Sequence, residues 1–473
     1  MRTAHMRCLG LALSLLFLLY SCVHHKITDA GVARVPQRAN NASSKEARGF
    51  LYLTEGNYHG TGIPHYSLFV RKITKRNTLL APLPDSLAPT QRSLSTKVPF
   101  GYSAVQSIQG SVIINANCFS CHAGHVAGQF VLGLGTTNSI YQKGQHVQAL
   151  MLDQVVKTMY SRNSRERKAF GHFGDYFKQV SKTTHTPNPF VNPAFRLEET
   201  CINHRDPVDL SYKPRENFPM TKQVYASDIP PLWHVRKKRT LYYNGMGNGD
   251  KSKLLMQITA MGITDTLMAR DVQRHFGDVV AWIESLRPPK YPRTVDQGLA
   301  GRGAITFAQK CSGCHGTYGV QESYPNKIVA LETLKTDPYY ARYFFRNSGL
   351  ASWYNSSWFA TSSPHSSLVP IEGYQAPPLD GVWATAPYLH NGSVPTLKAL
   401  LNSKLRPLRW EYTNGYNFEE VGLANRPSHA KNLRPNKQTY DASIEGYGNY
   451  GHSFSDMLTE QQRSELLEYL KTL

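Results

Sequence analysis

Apolar positions recur along this chain at helical spacing in three places. Ala300, Gly303, Phe307 and Cys311 lie three and four residues apart, which puts them on one face of a helix; Gly303 would let a second helix approach closely. Val279, Trp282, Ile283 and Leu286 repeat that spacing, and Pro288-Pro289 stop the helix predicted over 278–286. Leu466, Leu467, Leu470 and Leu473 make a third stripe, preceded by Thr459 and Gln462 in a capping-box pattern. The contiguous β-formers Val112, Ile113 and Ile114 predict a strand instead. The remainder reads as loops, turns and short helices.

The ends of the pattern differ from its middle. Arg2 and Arg7 precede an apolar run, Leu9 to Tyr20, too short to span a bilayer comfortably. It closes in Leu19-Tyr20-Ser21-Cys22, similar to the lipobox of bacterial lipoproteins, so residues 1–22 read as an export signal and Cys22 as the expected site of a lipid anchor. A plain secretory signal is the alternative. Either way the expected location is the periplasm or the outer membrane and cell envelope of a bacterium. Residues 23–48 are polar and aperiodic, and predict a flexible tether in which His24-His25 is solvated. A folded part of 49–290 follows, then the stiff joint Pro288-Pro289-Lys290-Tyr291-Pro292, then a second part of 291–473.

With 473 residues the chain can hold two or three cores. Its formal charge of +20, from 53 basic and 33 acidic residues, favours acidic partners or anionic lipid. No nucleic-acid reader motif accompanies the charge, so nucleic acid is not an expected partner. Of seven cysteines, Cys8 and Cys22 belong to the signal and Cys201 stands alone. The other four form Cys118-Phe119-Ser120-Cys121-His122 and Cys311-Ser312-Gly313-Cys314-His315.

That spacing has a mechanical reason. Two thiols across one turn reach the two vinyl groups of a haem, and the adjacent histidine lies beneath the iron. Zinc would want four converging ligands, and a redox Cys-x-x-Cys pair needs no histidine after it. The chain is therefore expected to carry two covalently bound haem c groups, at Cys118/Cys121/His122 and Cys311/Cys314/His315. The fold class expected is mainly α: two cytochrome c-like haem domains with long loops and a few short β-strands. No internal repeat beyond the paired haem motifs is visible, and the first motif follows a strand where a cytochrome normally has a helix.

Three stretches resemble the diheme cytochrome c peroxidase superfamily, and more closely its branch containing the bacterial rubber oxygenases. They are Pro230-Pro231-Leu232-Trp233-His234 running on to Tyr242-Tyr243-Asn244-Gly245; the second haem motif with Tyr324-Pro325-Asn326 and Thr336-Asp337-Pro338; and Ala376-Pro377-Pro378-Leu379 through Ala386-Pro387-Tyr388-Leu389-His390-Asn391-Gly392 to Leu397. A tail, Gly451-His452-Ser453-Phe454, completes the likeness. The resemblance implies a division of labour. The N-terminal haem, on His122, would keep an open or labile position; the C-terminal haem, on His315, would be six-coordinate and pass electrons. His452 is the first choice for its second ligand and His390 the alternative. Trp233, Tyr242 and Tyr243 would line the first haem or carry an electron between the two. The carbonyls of Thr385 and Pro387 would hold one calcium ion. The acid and glutamine of peroxidase pockets find no obvious counterpart in the sequence.

These readings predict a haem oxidoreductase of peroxidase or oxygenase type, activating peroxide or oxygen at the first haem. Its expected partners are a redox protein or small electron donor or acceptor, and peroxide, oxygen or an organic substrate. The competing expectation is a diheme electron-transfer cytochrome without catalysis.

Overall fold

Ser44 accepts the Ala47 N–H on its hydroxyl and so opens a helix, α1, Lys45–Glu55. The computed structural model describes residues 44–65, 98, 100–136, 141–347, 349–427 and 438–473. The expected leader with Cys22, and positions 23–43 of the expected tether, lie outside the described residues. Positions 45–48, also assigned to the tether, belong to α1; their charged side chains hid a helix whose other face carries Gly49 and Leu53 into the core.

Strands β1 (Ile63–Pro64), β2 (Tyr102–Gln106) and β3 (Val112–Ala116) form an antiparallel sheet in the order β1-β3-β2, and β4 (Ala123–Val126) pairs with β5 (Gln129–Leu132) directly after the first Cys-x-x-Cys-His. Helices α2 (His146–Met159), α3 (Arg165–Thr183) and α4 (Ala194–Asn203) follow. After them come α5 (Lys251–Leu255) and α6 (Thr266–Ser285). Asp265 caps α6 by accepting the Met268 N–H, so this helix starts twelve residues before the predicted Asp278. Its first turns present Leu267, Arg270, Asp271 and Arg274 to solvent, which masks the apolar period there. The second part adds α7 (Gln297–Lys310), α8 (Tyr339–Arg346), α9 (Gly349–Ser356), α10 (Leu397–Leu401) and α11 (Glu460–Leu470). The predicted capping box of Thr459 and Gln462 is formed in both directions.

Two helix crossings are built alike. On α1, a Cβ at Gly49 would sit 2.0 Å from the Asp278 carbonyl of α6, and the neighbouring Arg48 Nε reaches the Asp278 carboxylate at 2.7 Å. On α7, a Cβ at Gly303 would sit 2.0 Å from the Glu465 carbonyl of α11, and Arg302 Nε reaches the Glu465 carboxylate at 2.6 Å. In each case glycine permits backbone contact and an ion pair pins the crossing. The first haem motif therefore does have its helix, α1, separated from it by the β1–β3 segment.

The apolar cores do not divide at residue 290. The larger one joins Leu53, Phe119, Trp233 and Trp282 to Leu331, Tyr340, Phe344, Trp358 and Tyr374 of the expected C-terminal domain. The smaller joins Phe307, Trp383, Trp410 and Leu466 to Phe190, Val191 and Ala226 of the expected N-terminal one. A strand crosses too: β6 (Gly247–Gly249) pairs with β7 (Ser366–Leu368). Pro288-Pro292 joins the helical crossings without separating two cores.

Candidate haem sites

Asn117 shapes the first motif. Its side chain accepts the Phe119 N–H at 3.0 Å and donates to the Phe100 carbonyl at 2.9 Å, starting the tight turn Cys118–Ser120. Phe119 is buried among Phe50, Phe100 and Trp282, which anchors the turn on the α1–α6 crossing. Cys118, Cys121 and His122 are left facing inward: the fold encloses them, yet each keeps part of its surface free. Burial pushes the Cys118 thiol up to about 12 and pulls His122 down to about 4, so the imidazole is neutral. The Pro230 carbonyl faces the His122 ring and favours its proton, although His122 Nδ1 makes no hydrogen bond of ordinary geometry.

The second motif sits at the end of α7. Cys311 ends the helix, the turn Ser312–His315 follows, and Gly316 at φ +85° releases the chain. His315 Nδ1 lies 2.8 Å from the Pro377 carbonyl. A carbonyl only accepts, so Nδ1 carries the proton and Nε2 keeps its lone pair, the tautomer a metal ligand needs. His452 stands opposite, with ring centroids 6.2 Å apart and planes at 65°. Two imidazoles bound on opposite sides of one metal at about 2 Å each would hold their centroids about 6 Å apart. Burial holds His315 below its ordinary value and His452 at about 3, so both are neutral. The residues fit a haem with a histidine on each face.

The two parts share a longer repeat than their haem motifs. Each has a Pro-Pro-Leu whose first carbonyl faces the motif histidine, Pro230 for His122 and Pro377 for His315. Each then makes the same turn. Leu241 and Gly247 exchange backbone hydrogen bonds, as do Tyr388 and Val394; Gly245 N–H bonds to the Tyr242 carbonyl and Gly392 N–H to the Leu389 carbonyl, each at 3.1 Å. Tyr242 and Leu389 both have positive φ, +74° and +66°, and the Asn244 and Asn391 side chains both accept the N–H two residues on at 3.3 Å. Asp250 then caps α5 and Thr396 caps α10. The sequence signal was present in the doubled Pro-Pro-Leu and Asn-Gly, but the residues between them differ.

This repeat locates the other candidate residues. Trp233 is buried and donates Nε1–H to the Asp380 carbonyl at 2.8 Å, while His234 Nε2 meets the same oxygen at 2.9 Å. Trp233 thus ties the two Pro-Pro-Leu segments together. Tyr243 corresponds to His390, and their rings meet at 6.4 Å with Tyr340 beside both. Tyr243 donates to the half-buried Asp228 carboxyl at 3.5 Å. His390 is engaged by Tyr374: its Nε2 pairs with the Tyr374 hydroxyl at 3.0 Å and the two rings stack at 4.1 Å. The Thr385 hydroxyl donates to the Val382 carbonyl, and Pro387 lies against Gly392. Among the described residues no three His, Cys, Asp or Glu side chains converge on a metal position.

Two polar side chains found no place in the sequence reading. Gln257 donates Nε2–H to the Tyr242 hydroxyl at 2.5 Å and leaves its Oε1 buried and unpaired. Glu198, on α4, is enclosed with Oε2 unpaired; burial raises its carboxyl to about 8, and it lies within electrostatic reach of Tyr242, Tyr340 and Tyr354. An acid and a glutamine therefore do accompany Tyr242. They come from α4 and the turn after α5, too far apart in sequence to read as a pair.

A Cys-x-x-Cys-His at a helix end, its histidine oriented by a proline carbonyl and faced by a second neutral histidine, is the arrangement expected of the c-type cytochrome class. Within that class, residues 373–411 match the family described as RoxA-like, cytochrome c-like, which supports the rubber-oxygenase-like branch and implies haem c. The chain is also similar to two uncharacterized proteins of Sinorhizobium fredii (strain NBRC 101917 / NGR234). It is 29% identical to y4iJ over 40% of this chain and 41% of that protein, and 25% identical to y4iM over 52% and 64% respectively. In both matches the chain spans less than two thirds of the relative's length.

Proposed function

We propose that this chain is an exported diheme c-type cytochrome acting as a haem oxidoreductase of peroxidase or oxygenase type. Cys118, Cys121 and His122 would hold the reacting haem, and Cys311, Cys314, His315 and His452 the electron-transferring one. Haem iron supplies the redox chemistry; the protein decides which iron a small molecule reaches.

The observation that carries this reading is an asymmetry within the repeat. Between α10 and α11 the second part supplies His452 opposite His315. Between α5 and α6 the corresponding stretch, 256–265, contains no histidine; its Met256 is buried in the apolar core and its Met261 is half-buried against it. It offers Gln257 instead, hydrogen-bonded to Tyr242 and near Glu198. An unpaired amide oxygen and a carboxyl kept protonated by burial are suited to orient peroxide or oxygen and to give or take its proton. Trp233, bonded across the two Pro-Pro-Leu segments, provides the short route for an electron between the sites. The Thr385 and Pro387 carbonyls would hold calcium near that route, and the N-terminal signal would deliver the protein to the cell envelope.

The test is low-temperature electron paramagnetic resonance of the oxidised protein before and after cyanide. A high-spin signal converted by cyanide, beside a low-spin signal that does not change, supports the proposal. Two unreactive low-spin signals, still closed after half-reduction, would leave an electron carrier.

A further inference from the structure

The two histidines that face each other at the second motif are held by different means. His315 has its ring fixed directly, by the Pro377 carbonyl at Nδ1. His452 has no such support: its Nδ1 is buried and finds no hydrogen-bond partner among the described residues. The ring's aromatic neighbours are His315 and Phe454, and Phe454 is half exposed. The polar anchorage of His452 lies in its backbone, which is clamped from both sides. Its N–H donates to the Leu334 carbonyl at 2.8 Å, and its carbonyl accepts from Arg406 Nη2 at 3.1 Å. The loop needs the hold. Gly451 and His452 both have positive φ, +75° and +45°, and a Cβ at Gly451 would lie 2.2 Å from the Lys335 carbonyl carbon. A side chain such as that of His452 persists in the left-handed region where its surroundings fix it there.

Arg406 does more than meet that one carbonyl. Arginine carries five N–H donors in a rigid planar fork, and here each of them finds a backbone carbonyl. Nη1 reaches Asn449 at 2.9 Å and Gly451 at 2.6 Å, in the loop that leads to His452. Nε reaches Ala399 at 3.2 Å, and Nη2 reaches Leu400 at 3.0 Å beside its bond to His452. Ala399 and Leu400 lie in the last turn of α10, whose final carbonyls have no partner within the helix. One guanidinium thus ties the loop of His452 to the end of α10. We propose that Arg406 is the positioning residue for His452, holding it on the second haem and so keeping that iron closed to small ligands. The inference rests on the preceding reading, in which His315 and His452 take the two faces of that haem. Lysine would keep the charge but offers its donors from a single point, so it cannot span loop and helix at once. Released from α10, His452 would leave the iron more often.

The experiment is the rate of carbon monoxide uptake by the fully reduced, purified diheme protein, followed by Soret absorbance. At a haem with a histidine on each face, uptake waits for one histidine to leave, so the slow phase reports how firmly His452 is held. The variants are Arg406→Lys and, as a control, Thr396→Ala, which uncaps α10 but removes neither the fork nor its acceptors. Arg406→Lys should speed the slow phase about tenfold or more, the effect of losing one hydrogen bond from a charged donor. Thr396→Ala should lower the denaturant midpoint yet leave the slow phase within about threefold of native. An unchanged slow phase in Arg406→Lys with both haems attached would overturn the inference, and so would equal acceleration by Thr396→Ala. If Arg406→Lys does not mature, amide hydrogen exchange in the native holoprotein decides. A His452 N–H that exchanges as slowly as the amides of α10 supports a clamp joining them, and exchange about a hundredfold faster overturns it. A native protein without haem at the second motif, or a slow phase that His452→Ala leaves unaltered, would instead refute the ligand assignment of the preceding section, so the two failures are distinguishable.

Discussion

Alanine at Gly303 should destabilise the protein by about 2–4 kcal/mol. The added Cβ would lie 2.0 Å from the Glu465 carbonyl oxygen, 2.5 Å from its carbon and 2.9 Å from Tyr469 Cβ, where ordinary contact begins at 3.4 Å. Two of the three obstacles are backbone, so α7 and α11 must separate by more than an ångström. Overpacking of this kind costs about 1–3 kcal/mol. Separation also uncovers part of Leu466, Leu467 and Leu470, each worth about 1.5–3 kcal/mol when fully buried, which adds a fraction of that amount. Gly301 supplies the control. It lies on the same helix with nothing within 4 Å of its would-be Cβ, so alanine there should stabilise by up to about 1 kcal/mol through helix propensity. Denaturant midpoints of the holoprotein, read by far-UV circular dichroism and haem absorbance together, compare the two. If Gly303→Ala proves no less stable than Gly301→Ala, the close crossing is not what holds α11 in place.

Gly49→Ala should behave as Gly303→Ala does, because its Cβ meets the Asp278 carbonyl at the same 2.0 Å; equal midpoints for Gly49→Ala and the native chain would break the parallel. His452→Ala should open one haem to added imidazole, which restores the native optical spectrum, while His390→Ala leaves the ligation unchanged; the reverse pattern would exchange their roles. Glu198 predicts a pH effect with a definite sign. Burial raises its carboxyl from 4.5 to about 8, so across that window the folded protein holds a proton that the unfolded chain releases. Its contribution is therefore fully present below 4.5 and is lost as pH rises towards 8, by at most about 1.4 kcal/mol per unit. Glu198→Gln should remove that slope, and a stability difference from the native chain that stays constant between pH 5 and 8 would refute the assignment.

The sequence was informative wherever one local rule decided the outcome. The helical period predicted α7 and α11, the capping box marked the start of α11, and the Cys-x-x-Cys-His spacing located the two motifs. It was silent where a structural relation spans distant segments. Helix α1 escaped notice because it is short, charged in its first turn and separated from its motif by β1–β3. Arg48-Gly49 and Arg302-Gly303 are the same device, yet two residues carry too little pattern to be recognised before their partners Asp278 and Glu465 are known. The repeated turn is held by backbone hydrogen bonds and by Tyr242 and Leu389 at positive φ, a conformation that neither residue type announces. Glu198 comes within electrostatic reach of Tyr242, and Gln257 bonds to it, only because α4 packs on the turn after α5. The polar groups around Tyr242 were thus the least legible part of the chain.

The shared cores carry a consequence for any attempt to divide the molecule. Leu331 to Tyr374 complete the core around the first motif, and Phe190, Val191 and Ala226 complete the core around the second. Expressed separately, fragments 1–290 and 291–473 would each present to water the apolar surface meant for the other, and each would be prone to aggregate. A single cut at Pro288-Pro292 in the finished protein is a different matter: the pieces should stay together by complementation, the severed ends apart and the junction at Trp233 and Asp380 intact. What looks along the sequence like two beads on a string is, as an assembly, an obligate heterodimer whose subunits happen to share one peptide chain.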